Sequence, residues 1–118
     1  MAAVRVFDIL AQEALATTET SFGTVGTLHA DGQIEAVWVS KRGEAVDRGW
    51  FSQDTVDLIV VLQGRLRVEF ADPGDEARTL EPGTVLVLPP ATKCRAYRWP
   101  RTAEGATVFL AVYPARSG

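Results

Sequence analysis

Two residue types that often do chemistry occur once each in this chain: a cysteine, Cys94, and a histidine, His29. A thiol becomes a nucleophile or a soft metal ligand when it loses its proton, and neighbouring cations favour that loss. Lys93 and Arg95 flank Cys94. Adjacent residues of a strand point to opposite faces, however, so both charges should aim away from the sulfur. No cysteine–histidine couple is visible, because His29 lies far along the chain in the turn LHADG. A free cysteine with no activating partner behaves as a small apolar group and is usually buried. Cys94 therefore reads first as wall material, then as pocket lining, and last as a catalyst. His29 reads as a solvated turn residue.

The elements that must position these groups are short strands. Turn signals recur at ADG, QG, DPGD, EPG, PP and PRTAEG. Between them lie FGTVGTLH, QIEAVWVS, DLIVVLQ, RLRVEF, TVLVLP, KCRAYRW and TVFLAVY, all rich in β-branched and aromatic residues. Short strands at this spacing predict an all-β sandwich or barrel with six or more strands between residues 22 and 113. Only residues 7–15 show helical spacing, with Phe7, Leu10, Ala11, Ala14 and Leu15 able to share a face. The expected organisation is a single domain over residues 1–118. Residues 1–20 form a short helix or arm and residues 21–115 the barrel.

Periodicity separates two kinds of strand. In RLRVEF, Leu66, Val68 and Phe70 alternate with Arg65, Arg67 and Glu69, so one face is wet. DLIVVL is apolar on both faces, and Leu58, Val60 and Leu62 need cover as much as Ile59 and Val61 do. That cover comes either from a segment of the same chain or from a second copy. A homodimer is the expected assembly.

The balance of 12 Lys and Arg against 15 Asp and Glu gives a net charge of −3, with the cations scattered. Phosphate neutralisation needs a basic face, so nucleic acid is not an expected partner. Arg5, Asp8 and Glu13 interrupt the N-terminus before a leader-like apolar run develops. LIVVL is too short to span a bilayer. The expectation is a cytoplasmic protein with no membrane contact.

The segment over residues 57–94 resembles the two-motif core of the cupin family, small jelly-roll β-barrels. Asp57, the apolar run LIVVLQ and Gly64 match the end of the first motif. Gly83, TVLVL and Pro89 match the second, with Cys94 where that motif expects histidine. The resemblance implies a cupin-like jelly-roll β-barrel. Cupins that hold a metal typically supply an H-x-H pair, an acidic residue four positions on, and the second-motif histidine. Carried over by position, these fall on Phe51, Gln53, Asp57 and Cys94. Phe51 cannot ligate and Gln53 carries no charge, and with His29 the one histidine of the chain, three-histidine chemistry within one subunit is ruled out by count. His29 could join a set only across the barrel mouth or from a partner subunit.

Asp57 shares strand parity with Phe51 and Gln53, so all three can face one cavity. Its carboxylate reads either as a general base or ligand anchor with a pKa raised by apolar walls, or as scaffolding tied to a backbone N–H or an arginine. Arg98 shares parity with Cys94 and could pair with Asp57 or an anionic ligand, or be a solvated strand-end cation. Trp38 is a further wall candidate from alternation.

The leading expectation is a metal-free barrel that binds a small, partly apolar molecule, with no cofactor. The alternatives are a metal-independent isomerase or cyclase using Asp57, an enzyme dependent on zinc, iron, manganese or nickel with an atypical site, and a structural barrel.

Overall fold

The computed structural model describes residues 4–9, 17–20, 23–42, 46 and 49–115. These build nine strands: β1 (Thr17–Thr20), β2 (Gly23–Ala30), β3 (Ile34–Lys41), β4 (Asp57–Gln63), β5 (Arg65–Phe70), β6 (Arg78–Leu80), β7 (Val85–Leu88), β8 (Cys94–Trp99) and β9 (Thr107–Pro114). All pair antiparallel, in a six-stranded sheet ordered β1-β2-β3-β9-β4-β7 and a three-stranded sheet ordered β6-β5-β8. The all-β expectation holds. Of the helix expected over residues 7–15, the described part, residues 7–9, is not helical, and the remainder lies outside the described residues. Among the described residues no helix is long and apolar enough to cross a membrane.

The chain passes from the large sheet to the small one at Gly64, between β4 and β5. Its φ is +71°, a left-handed conformation that only glycine adopts at little cost. A Cβ there would meet the Ala106 carbonyl oxygen and Thr107 Oγ1 at 3.0 Å. The close approach lets Thr107 Oγ1 donate to the Arg65 carbonyl at 2.7 Å, which pins the crossing to β9.

Between the sheets lies the main core. Val39, Ile59, Val61 and Phe109 from the large sheet meet Leu66 and Val68 from the small one, and Leu88 and Cys94 join them. The period-two pattern of β5 is thus what faces it inward: Leu66 and Val68 are both 0% exposed. A second cluster sits on the outer face of the large sheet, where Leu28, Trp38, Ala106 and Val108 pack with Ile9, Leu62 and Leu110.

The outer apolar face of β4 is therefore covered at one end only. Leu62 is covered from within the chain. At the other end Leu58 stays 38% exposed, and its neighbours on β7, Val85 and Val87, are 54% and 56% exposed. Register places them together: Leu58 opposite Val87, and Val60 opposite Val85.

Candidate functional site

A cavity of about 630 Å³ opens between the sheets, next to the packed core. Its walls are mainly apolar, with Val37, Ile59, Leu88, Phe109 and Ala111 among them, and exposed Gly49, Trp50 and Ser52 lie at its rim. Phe51, Gln53, Asp57 and Cys94 all line it.

Local backbone bonding explains how residues so far apart in sequence converge. Phe51 N–H donates to the Cys94 carbonyl at 2.7 Å, and Cys94 N–H donates back to the Phe51 carbonyl at 2.9 Å. Ala91 N–H donates to the Gln53 carbonyl at 2.7 Å. The segment before β4 is thereby stitched to the start of β8. Asp57 opens β4, paired in register with Leu88 at the end of β7.

At this end the side chains are polar and shielded. Asp57 is 3% exposed and Gln53 8%. Gln53 Nε2 donates to Asp57 Oδ2 at 2.9 Å, while Asp57 Oδ1 and Gln53 Oε1 have no protein partner. Burial raises the Asp57 pKa to about 6, and the Gln53 hydrogen bond opposes that rise without cancelling it. Burial, with the Asp57 charge second, pushes the Cys94 thiol up to about 11. Cys94 is consequently a neutral thiol at physiological pH and a poor nucleophile.

The donor set does not fit the metal site that the four positions imply. Phe51 offers no lone pair, Gln53 a neutral amide oxygen, and Cys94 a thiol that resists deprotonation. Asp57 is left as the one anionic donor, where a divalent ion wants three or more strong ones. Among the described residues no three His, Cys, Asp or Glu side chains are grouped to hold a metal ion. His29 is elsewhere: it pairs with Asp31 Oδ2 at 2.7 Å and contacts the Arg5 guanidinium.

Two expected wall residues are not in the cavity. Trp38 lies on the opposite face of β3, in the second cluster, and its indole Nε1 donates to the Ile9 carbonyl at 3.0 Å. Alternation predicts that successive residues part ways but not which set faces inward, and here the inward set is Val37, Val39 and Lys41. Arg98 spends its guanidinium on the Gly105 and Arg101 carbonyls at 2.7 and 2.8 Å, clamping the β8–β9 connection rather than meeting Asp57. Tyr113 joins the wall as well. It shares parity with Phe109 and Ala111 on β9, a signal that alternation carries. Alternation aims Arg95 outward, and its pairing does lie with Glu69, at 3.1 Å, and over the Trp50 ring at 4.5 Å. Arg95 is nonetheless among the residues that line the cavity.

No family model matches the chain. Over 68 residues it is 37% identical to glucose-6-phosphate isomerase of Pyrococcus abyssi and 35% identical to that of Pyrococcus horikoshii. Each match takes in 56% of this chain but only 34% of the relative, about a third of its length. Solved structures match more completely. A mannose-6-phosphate isomerase-like protein of Ralstonia eutropha superposes with a TM-score of 0.74 at 18% identity, over 96% of this chain and 100% of that one. An RmlC-like cupin of Methanocaldococcus jannaschii with a double-stranded β-helix fold gives 0.69 at 11% identity, over 98% and 92%. KdgF of Halomonas gives 0.64 at 23%, over 79% and 80%.

Two antiparallel sheets closing on a cavity beside a packed core define a jelly-roll β-barrel. The fold is the double-stranded β-helix barrel that these cupin neighbours share.

Proposed function

We propose that this barrel binds a small, partly apolar organic molecule without a metal ion. One observation carries the reading: buried Asp57 and Gln53, each with an unpartnered oxygen, line a mainly apolar cavity large enough for a small ligand. Structural barrels fill such space with side chains, and unpaired buried acceptors are costly to keep. Ligand-observed NMR with a set of small organic probes tests it. Binding should saturate and should disappear in Ala111→Phe, which fills the cavity. Binding unchanged by that substitution would contradict the reading.

A second reading is a metal-independent isomerase. The partial likeness to glucose-6-phosphate isomerases supports it, together with a carboxylate whose pKa near 6 suits a general base at neutral pH. Asp57 would take the proton from one carbon and return it to the neighbouring one; Arg98, committed to backbone carbonyls, would take no part. Deuterium exchange from solvent into glucose 6-phosphate or mannose 6-phosphate, abolished by Asp57→Asn, is the expected sign.

We also propose that the partner for the outer patch of Leu58, Val85 and Val87 is a second copy of this chain, in the cytoplasm. An exposed apolar edge of this kind is normally covered. Light scattering should give twice the 12.8 kDa chain mass, and Val87→Lys should return it to one chain mass.

A further inference from the structure

The polar end of the cavity lacks donors rather than acceptors. Gln53 uses an N–H on Asp57 Oδ2, which leaves Gln53 Oε1 and Asp57 Oδ1 without partners. Both oxygens are buried at the polar end of the cavity, and no protein group meets them. Of the buried side chains that line this end, the donors left are the second Gln53 N–H and the weak S–H of Cys94. The buried Thr55 hydroxyl, between Gln53 and Asp57 in sequence, also has no partner but does not line the cavity.

Building on the cavity as a small-molecule site, we propose that its ligand is a protonated primary amine on an apolar or aromatic body, its ammonium group seated on Asp57 and Gln53. An ammonium brings three donors, no acceptor and the charge that complements Asp57. A carboxylate or phosphate would bring acceptors to a place already crowded with them and would repel Asp57. A hydroxyl would bring lone pairs with few donors to meet them. Ile59, Leu88, Phe109 and the Phe51 ring are at hand for the apolar body. Turning the Asp57 carboxyl about its soft terminal torsion presents an oxygen to the cavity while the other still accepts from Gln53 Nε2.

The other charges near the cavity leave this end acidic. Lys41 pairs in register with Thr107, whereas Leu58, next to Asp57, pairs with Val112. The two are thus five residues apart along β9, about 17 Å at strand rise. Arg95 is held by Glu69 and Trp50. Glu35, opposite Tyr113, shares the parity of Val37 and Val39 and adds negative charge on that side.

A rival account needs no ligand: one proton on Asp57 Oδ1, donated to Gln53 Oε1, would satisfy both oxygens at once. The two accounts forecast different chemistry. Calorimetric titration of the full chain with tryptamine, its neutral alcohol analogue tryptophol, and indole-3-propionate separates them. At pH 7.5 tryptamine should bind at least tenfold more tightly than tryptophol, and indole-3-propionate more weakly still. The tryptamine preference should shrink several-fold at pH 5, as Asp57 takes up its proton, and vanish in Asp57→Asn. Equal or tighter binding of tryptophol, or a preference that survives Asp57→Asn or acid unchanged, overturns the amine proposal. Tryptophol binding that Ala111→Phe blocks would in that case still sustain the cavity as a ligand site. Failure of all three to bind overturns the amine proposal as well. The pH arm uses the unaltered chain, so the proposal can be refuted even if a variant fails to fold.

Discussion

The space between the two sheets has a dry end and a polar end, and they obey different rules. At the dry end Leu66, Val68 and Val61 are 0%, 0% and 1% exposed and carry no polar side-chain atom. At the polar end Gln53, Asp57 and Cys94 are nearly as buried, yet two of their oxygens go unpaired beside open space. The dry end minimises free energy by filling volume. The polar end holds desolvated polar groups that the fold does not require. Stability resides in the first region, and recognition is expected in the second.

Substitutions should separate the regions. Leu66→Ala removes a fully buried side chain with no room to collapse, and should cost about 3 kcal/mol in denaturant unfolding. A loss well below 1 kcal/mol would mean that the dry end is looser than its burial implies.

The polar end should reveal itself through pH. Burial favours the protonated form of Asp57, whose pKa is raised from 3.8 to about 6. Between those values the folded chain holds more protons than the unfolded one, so this group's contribution to stability falls as pH rises from about 4 through 6 and then levels off. Two pKa units correspond to a swing on the order of 3 kcal/mol as an upper bound. Asp57→Asn should flatten that slope and be the more stable protein at pH 8. A slope that persists in Asp57→Asn would locate the titration elsewhere.

Cys94→Ser should have a smaller effect, a loss of about 1–2 kcal/mol, because a hydroxyl replaces an apolar wall group at a position 4% exposed. Loss of ligand binding in a folded Cys94→Ser chain would give the thiol a role beyond the wall. Smallest of all, Val87→Lys on the outer edge should leave chain stability within about 0.5 kcal/mol, while removing self-association.

The same contrast governs what is legible in the sequence. Seven strands declare themselves through β-branched and aromatic runs. The two that do not are β1, TTET, which is β-branched but has no apolar residue to mark a face and is exposed throughout, and β6, RTL, which is too short to show a period. Both owe their conformation to a neighbour's edge rather than to their own pattern. The site is less legible. Convergence of Phe51 and Gln53 with Cys94 depends on backbone bonds between segments distant in sequence, which no local periodicity encodes. Trp38 shows the limit of alternation, because period two fixes relative but not absolute facing. Arg98 shows that an inward parity at a strand's last turn is overruled by loop carbonyls within reach.

Elemental analysis of the chain purified without chelator tests the central claim most directly, because an organic-ligand cavity and a metal centre compete for the same side chains. Far less than one equivalent of zinc, iron, manganese or nickel per chain is the expected result. Near-stoichiometric metal that Asp57→Ala or Cys94→Ala removes would contradict the account.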